Sequence, residues 1–338
     1  IKLAQEDLKK KGIAGDLKWE DDTGKPQIAM SAMEKLATRD RVAGVVGPYT
    51  SACANAVSKL AGKYKVPLLV PAAAKEEITR QGNKWVYRLN APADVYASVL
   101  IDAMLTLGKP STMALIYENT DFGTSTSTTA KSYAVRKGIR IVADESYSKG
   151  SPDYRSTLTK IKSKNPDLVF MVSYVADAIL IMRQAREIGL QPKAFLGGGA
   201  GFTTAEFARE KVISNNVFSS TQWTDDVNWP GASDFGRRYK AKFGKEPTYH
   251  AACAYAAMMI MAETASKSAG DREKTRAGLK SGAWNGIMGE VRFSDYAGFT
   301  NQNNHQMLVQ QLQNGRYETV FPAKFATRKP VYPFPKWR

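Results

Sequence analysis

Two cysteines, Cys53 and Cys253, and two histidines, His250 and His305, are all the thiol and imidazole ligands that 338 residues offer. No C-x-x-C pair and no H-x-x-x-H pair occurs, so the usual zinc spacings are excluded and no metal or cofactor is expected. A Cys53–Cys253 disulfide and two buried thiols both remain open. Long apolar runs are also missing. The nearest, AACAYAAMMIMA at 251–262, falls short of the ~18 residues of a membrane span and reads as a buried helix. There is no G-x-S-x-G elbow and no P-loop. Gly197-Gly198-Gly199-Ala200-Gly201 would need glycine at 202 for a dinucleotide fingerprint, and position 202 is Phe202. Asp21-Asp22, beside Thr23-Gly24, reads as a solvated loop. With no poised nucleophile, the chain does not read as an enzyme.

Positive charge, by contrast, is in excess: 48 Lys and Arg against 32 Asp and Glu, a formal net charge of +16. The surplus is spread thinly over KKK (9–11), KSKN (162–165) and FGRRYKAKFGK (235–245), without an Arg-rich arm or the aromatic-basic motif of an RNA reader. Solvated lysine faces are expected, and no nucleic-acid partner. The 43% hydrophobic content is that of a globular chain, and its length makes two domains the default. IKLAQEDLKKKG reads as the last turns of an amphipathic helix, with Ile1, Leu3, Ala4 and Leu8 on one face and Gly12 as the stop. An α/β chain places a strand before such a helix. A first strand, and any export signal, are therefore expected ahead of Ile1.

Strand-like runs fall at 42–47, 66–70, 85–90, 112–118, 139–147, 167–174, 193–199 and 216–221. Most are continuous Val/Ile/Leu/Phe runs, as parallel strands covered on both faces require. Helical stretches at 51–63, 94–107, 124–137, 153–164, 177–188 and 203–209 alternate with them, and the rhythm predicts a doubly wound α/β fold. Three successive helices follow (231–243, 249–268, 271–282), then MGEVRFS and a hairpin turning at Asn314-Gly315. The helices break the even spacing of a (β/α)8 barrel, so two lobes are expected. The tail FATRKPVYPFPKWR is expected to lie extended on the surface.

In open α/β sheets ligands sit beyond the carboxyl ends of the strands. The strand exits read Gly47-Pro48-Tyr49-Thr50-Ser51, Pro71-Ala72-Ala73-Ala74, Glu118-Asn119-Thr120-Asp121-Phe122-Gly123, Ser173-Tyr174 and Gly197–Gly201. Small residues admit a ligand to backbone N–H groups, hydroxyls donate to it, and rings wall it. Ser51 opens a helix, so its hydroxyl and the helix N-terminus together suit a carboxylate. Each residue taken singly has an ordinary reading as cap, turn or core ring; their shared placement at the strand ends points to a binding site.

At these residues the chain resembles the periplasmic substrate-binding proteins of ABC transporters of the leucine/isoleucine/valine-binding type. GVVGPYTSA (44–52), VPLLVPAAAKEEIT (66–79), YRLNAPADVYA (87–97), ALIYENTDFGTS (114–125), PDLVFMVSYVADAILIMRQAREIGL (166–190) and AACAYAAM (251–258) carry the likeness, as does Gly12-Ile13-Ala14-Gly15 followed by a strand into Asp21-Asp22. The resemblance implies a type I periplasmic binding fold: two Rossmann-like lobes, 1–91 plus 225–304 and 92–224 plus 305–338, joined by three crossovers near Asn90–Pro92, Thr221–Thr224 and Asn304–Met307. It further implies a ligand held between the lobes, a periplasmic location, ABC permease subunits as partner, and a monomer. By carry-over, a ligand carboxylate meets Ser51 and Ala72, Ala73 and Ala74, with Tyr49 and Thr50 lining the approach. Phe122 forms an aromatic wall, and an α-ammonium meets Tyr174 and an acidic residue at the position of Gly199.

Two departures bear on the ligand. Ala74 stands where the family usually has a threonine hydroxyl, and Gly199 stands where it has the acid. An ammonium buried without a carboxylate loses a charge-assisted bond worth ~1.5–3 kcal/mol. Either another acid replaces it, Asp121 being the candidate, or the ligand carries no ammonium. The rings Tyr49, Tyr96, Phe122, Tyr174, Phe202 and Trp223 favour the second: a small carboxylate with an aromatic or branched body, a branched-chain amino acid being the close alternative. A ligand-sensing domain of the same fold is the other functional reading.

Overall fold

The computed structural model describes Ile1 to Trp337 apart from Ala14. The expectation placed on Ala14 lies outside the described residues. Two compact units share the chain: Ile1–Pro92 with Trp229–Gln306, and Ala93–Asn228 with the segment from Met307.

Unit 1 opens with α1 (Lys2–Lys10), α2 (Pro26–Thr38), β1 (Val45–Val46), α3 (Ser51–Tyr64), β2 (Leu68–Val70), α4 (Glu77–Arg80) and β3 (Val86–Arg88). Unit 2 follows with α5 (Ala93–Leu107), β4 (Thr112–Glu118), α6 (Asp121–Arg136), β5 (Arg140–Tyr147), α7 (Arg155–Ser163), β6 (Leu168–Val172), α8 (Val175–Glu187), β7 (Ala194–Gly197), a 3-10 turn at Ala200–Thr203, α9 (Ala205–Arg209), α10 (Lys211–Ser214) and β8 (Phe218–Thr221). The chain then returns to unit 1 as α11 (Ala232–Phe243), α12 (Tyr249–Lys267), α13 (Arg272–Ser281), β9 (Ala283–Gly286), β10 (Gly289–Tyr296) and β11 (Phe299–Asn303), and ends in unit 2 with β12 (Leu308–Gln313) and β13 (Arg316–Phe321).

Each unit is a sheet with a parallel interior. Unit 1 runs β1-β2-β3-β11-β10-β9, parallel through β11 and antiparallel beyond it. Unit 2 runs β13-β12-β8-β7-β6-β4-β5, antiparallel only at β12 and β13. The continuous apolar runs fold as the interior: every residue of β2, β6 and β7 is buried. The doubly wound α/β class is as the rhythm predicts.

Three sequence expectations fail. Helix α2 was not anticipated. Pro26 at its first turn pre-sets the entry, and Ala29, Met33 and Ala37, four apart, form its buried face. Residues 16–22, expected as a strand, join no ladder among the described residues, because a groove and not a neighbouring strand lies between them and β1. The tail does not simply lie on the surface. Phe334 is buried edge-on against Phe195, with ring centroids 5.0 Å apart, and Trp337 Nε1 donates to the Leu190 carbonyl at 2.7 Å.

Both cysteines are buried free thiols. Phe334→Ala should cost about 3 kcal/mol, as emptying a buried aromatic site does. Urea unfolding measures this, and a loss below about 1 kcal/mol would show that the tail merely rests on the core.

Candidate functional site

In unit 1 the exit of β1 runs through Gly47-Pro48, a cis bond, into Thr50, the N-cap of α3. Thr50 Oγ1 accepts from the Cys53 amide at 3.3 Å. Ser51, the first residue of α3, is 2% exposed, and its Oγ accepts from the amides of both Ala74 and Lys75 at 3.2 Å. The structure thus brings Ser51 and the Ala72–Ala74 turn together. Ala72, Ala73 and Ala74 are themselves buried.

The turn is also gripped from behind. Arg88, fully buried on β3, donates through Nη1 to the carbonyls of Ala74 (3.1 Å) and Lys75 (2.6 Å) and through Nε to Gln302 Oε1 (2.5 Å). Asn90 Nδ2 donates to the Ala73 carbonyl at 3.1 Å, and Gln302 Nε2 to the Asn90 carbonyl at 2.7 Å. Sequence reasoning missed this scaffold. The one available signal was a charged residue inside an apolar strand, YRLN, since a buried guanidinium must find acceptors.

Tyr49, 45% exposed, points its hydroxyl at His250 Nε2, 3.3 Å away, with the rings edge-to-face at 5.1 Å. Burial lowers the His250 pKa from its ordinary 6.5 to about 4, so the imidazole is neutral at physiological pH. As the pH falls from about 6.5 towards 4, the unfolded chain binds a proton that the native protein refuses, so stability falls on the acid side. In His250→Gln the drop in melting temperature between pH 7 and pH 5 should be smaller than in the parent. An equal drop in both proteins would contradict the assignment.

In unit 2, Tyr96 and Phe122 meet edge-on at 6.5 Å, and Phe122 and Tyr174 lie tilted at 40° with centroids 5.7 Å apart. Tyr96 is fully buried, Phe122 is nearly so, and Tyr174 is half-buried with Lys149 Nζ 4.6 Å from its ring centre. Phe202 belongs to the unit 2 core, edge-on to Phe207. Asp121 opens α6, where a carboxylate suits the helix dipole. A fully buried acid of this region is another residue, Glu118, at the end of β4. Its carboxylate accepts from Thr120 Oγ1 at 2.6 Å and from the Tyr174 amide at 3.2 Å. Burial pushes its pKa up, against the pull of those two bonds and of the Lys149 charge. Oε1 secures the exit of β4 itself through Thr120, and Oε2 ties it to the exit of β6 through Tyr174.

Gly199 has φ +79° and ψ −150°, a region essentially restricted to glycine. At Gly201 a Cβ would lie 2.5 Å from the Tyr174 carbonyl carbon, so the loop after β7 packs directly on the exit of β6. A side chain at 199 would force the loop to move. Gly199→Glu should therefore cost on the order of 1–3 kcal/mol in chemical unfolding. A neutral effect would show that the loop accommodates an acid without strain.

A profile described as periplasmic binding protein matches residues 1–316, and the chain belongs to that family. Its curated relatives include a Leu/Ile/Val-binding protein homolog 7 of Brucella suis, 28% identical over 310 residues, covering 87% of this chain and 78% of the relative. Among solved structures, the branched-chain amino acid transporter substrate-binding protein LivJ of Streptococcus pneumoniae, in complex with isoleucine, matches at TM-score 0.82 and 25% identity, covering 95% of this chain and 92% of its own. A solute-binding protein of an ABC transporter from Rhodopseudomonas palustris, in complex with 3,4-dihydroxybenzoic acid, shares the fold at TM-score 0.83 and 20% identity, covering 98% of this chain and 92% of its own. The resemblance read from the sequence is borne out at the level of family and fold.

Proposed function

We propose that the protein is the extracytoplasmic solute-binding component of an ABC importer, capturing a small carboxylate without chemistry and delivering it, as a monomer, to permease subunits. The observation that carries this reading is the Ser51 hydroxyl. A serine hydroxyl has two acceptor sites and one proton. The amides of Ala74 and Lys75 take the acceptor sites, which leaves the proton to donate to an anion at the head of a 14-residue helix. Because the Ala74 amide is committed to Ser51, the backbone donors to the ligand come from Ala72 and Ala73. Tyr49 and Thr50 line the approach.

In this reading unit 2 contributes the wall: Tyr96, Phe122 and Tyr174, with Gly199 in place of an acid. The glycine-only backbone at 199 supports a ligand without an ammonium, and the engagement of both Glu118 oxygens supports it further. The fold itself admits either class, since relatives hold isoleucine in one case and 3,4-dihydroxybenzoate in another. An aromatic or branched-chain organic acid is the proposed ligand. Only a ligand that touches both units favours closure, so capture is a population shift driven by differential affinity. The family and its transporter-associated relatives support a periplasmic location.

Isothermal titration tests the reading. Benzoate-type or branched-chain acids should bind more tightly than leucine, and Ser51→Ala should weaken the acid by about tenfold or more, the worth of one charge-assisted bond. Micromolar leucine binding with no response to the acids would overturn the ligand class. Unchanged affinity in Ser51→Ala would remove the serine from the site.

A further inference from the structure

The exit of β5 carries no residue anticipated from the sequence, yet it is fastened to the rest of unit 2 at several points. Strand β5 is the outermost of its sheet, and β4 lies between it and β6. From that edge the chain crosses the end of β4 to reach α8, which follows β6. The Tyr147 hydroxyl donates to Ser173 Oγ at 2.6 Å. The Gly150 amide donates to both oxygens of the buried Asp177, at 3.2 and 3.1 Å, and the Tyr154 amide to Gln184 Oε1 at 2.6 Å. Between these ties Ser148–Ser151 is a tight turn. The Ser151 amide closes it on the Ser148 carbonyl at 3.1 Å, and Gly150 takes a left-handed φ of +78°.

The second residue of that turn is Lys149. It is exposed, and its Nζ lies 4.6 Å from the ring centre of Tyr174. A ring engages one side of an ammonium that has three N–H donors, so donors remain for another partner. No carboxylate pairs with Lys149 among the described residues. The two buried acids of these strand exits are committed elsewhere: Glu118 to Thr120 and the Tyr174 amide, Asp177 to the Gly150 amide. A lysine on a mobile loop is a solvated charge. This one stands on a turn tied to α8 and lies over a ring of the proposed wall. With Gly199 where the family has an acid, the accessible charge at that wall is positive.

We propose that the ligand is a diacid, and that Lys149 donates to its second carboxylate, the first being the one that meets Ser51. This rests on the capture of a small carboxylate proposed above and narrows its chemical class. A carboxylate suits Lys149 better than a neutral oxygen does, because a bond between two charged groups is about twice as strong as one between neutral groups.

Isothermal titration of the 338-residue protein with size-matched pairs tests this. Terephthalate is compared with its monoamide, and glutarate with its monoamide, so that each pair differs by one charge and little in shape. In at least one pair the diacid should bind about tenfold or more tighter than the monoamide. In Lys149→Met that ratio should fall to about twofold or less, while Lys149→Arg should keep it. Equal affinities within both pairs overturn the proposal, and so does a ratio that survives in Lys149→Met. Binding of benzoate or isovalerate with no gain for the diacids removes the second carboxylate and leaves the capture of a monoacid standing. Leucine binding with no response to any of these acids overturns both.

Discussion

The Ser51 hydroxyl sits where two loops of unit 1 must be fastened together, and it does so by accepting two consecutive amides from the exit of β2. Around it the main-chain groups of the turn are held in turn. The Ala74 and Lys75 amides go to Ser51, their carbonyls go to Arg88, the Ala73 carbonyl goes to Asn90, and Gln302 ties Arg88 to Asn90. A buried guanidinium is tolerable only because its donors find acceptors, and a turn of small residues is fixed only because something larger holds its backbone. The three alanines are what the turn shows to its surroundings; the rigidity comes from the polar side chains behind them.

Unit 2 solves the same problem with the opposite charge. Glu118 ties the end of β4 to the start of α8, taking a proton bond from Thr120 and another from the Tyr174 amide. Tyr147 adds a bond to Ser173 at 2.6 Å on the same strand exit. Each sheet thus keeps a buried ionisable group at the ends of its parallel strands, where main-chain groups have run out of ladder partners. Isolated surface ion pairs contribute little by comparison, and the many lysine–carboxylate contacts on the two units are of that kind.

The architecture was legible because parallel strands covered on both faces must be apolar throughout, and few other structures require that. The place of Ser51 at the head of a helix was legible too, since a hydroxyl stands there between an apolar run and a small-residue helix. Arg88 was not. A lone charge in YRLN gives no hint of the carbonyls it meets, because those come from a turn 13 and 14 residues away and from Gln302, more than 200 residues away. Phe334 was missed for a related reason: proline spacing describes an extended backbone but says nothing about the ring pocket it crosses. Helix α2, with its alanines and methionines, carries too weak an apolar contrast to stand out from a loop. The absence of an acid at 199 was visible as a letter; the backbone that excludes one was not.

That backbone has an evolutionary consequence. A position held at φ +79° and ψ −150° works as a latch on the history of the loop. A single codon change that installs a carboxylate at 199 carries the strain of that backbone with it, and the loop after β7 is braced against Tyr174 through Gly201. A carboxylate at this position would arrive together with that backbone strain, whichever residue of the loop gives way.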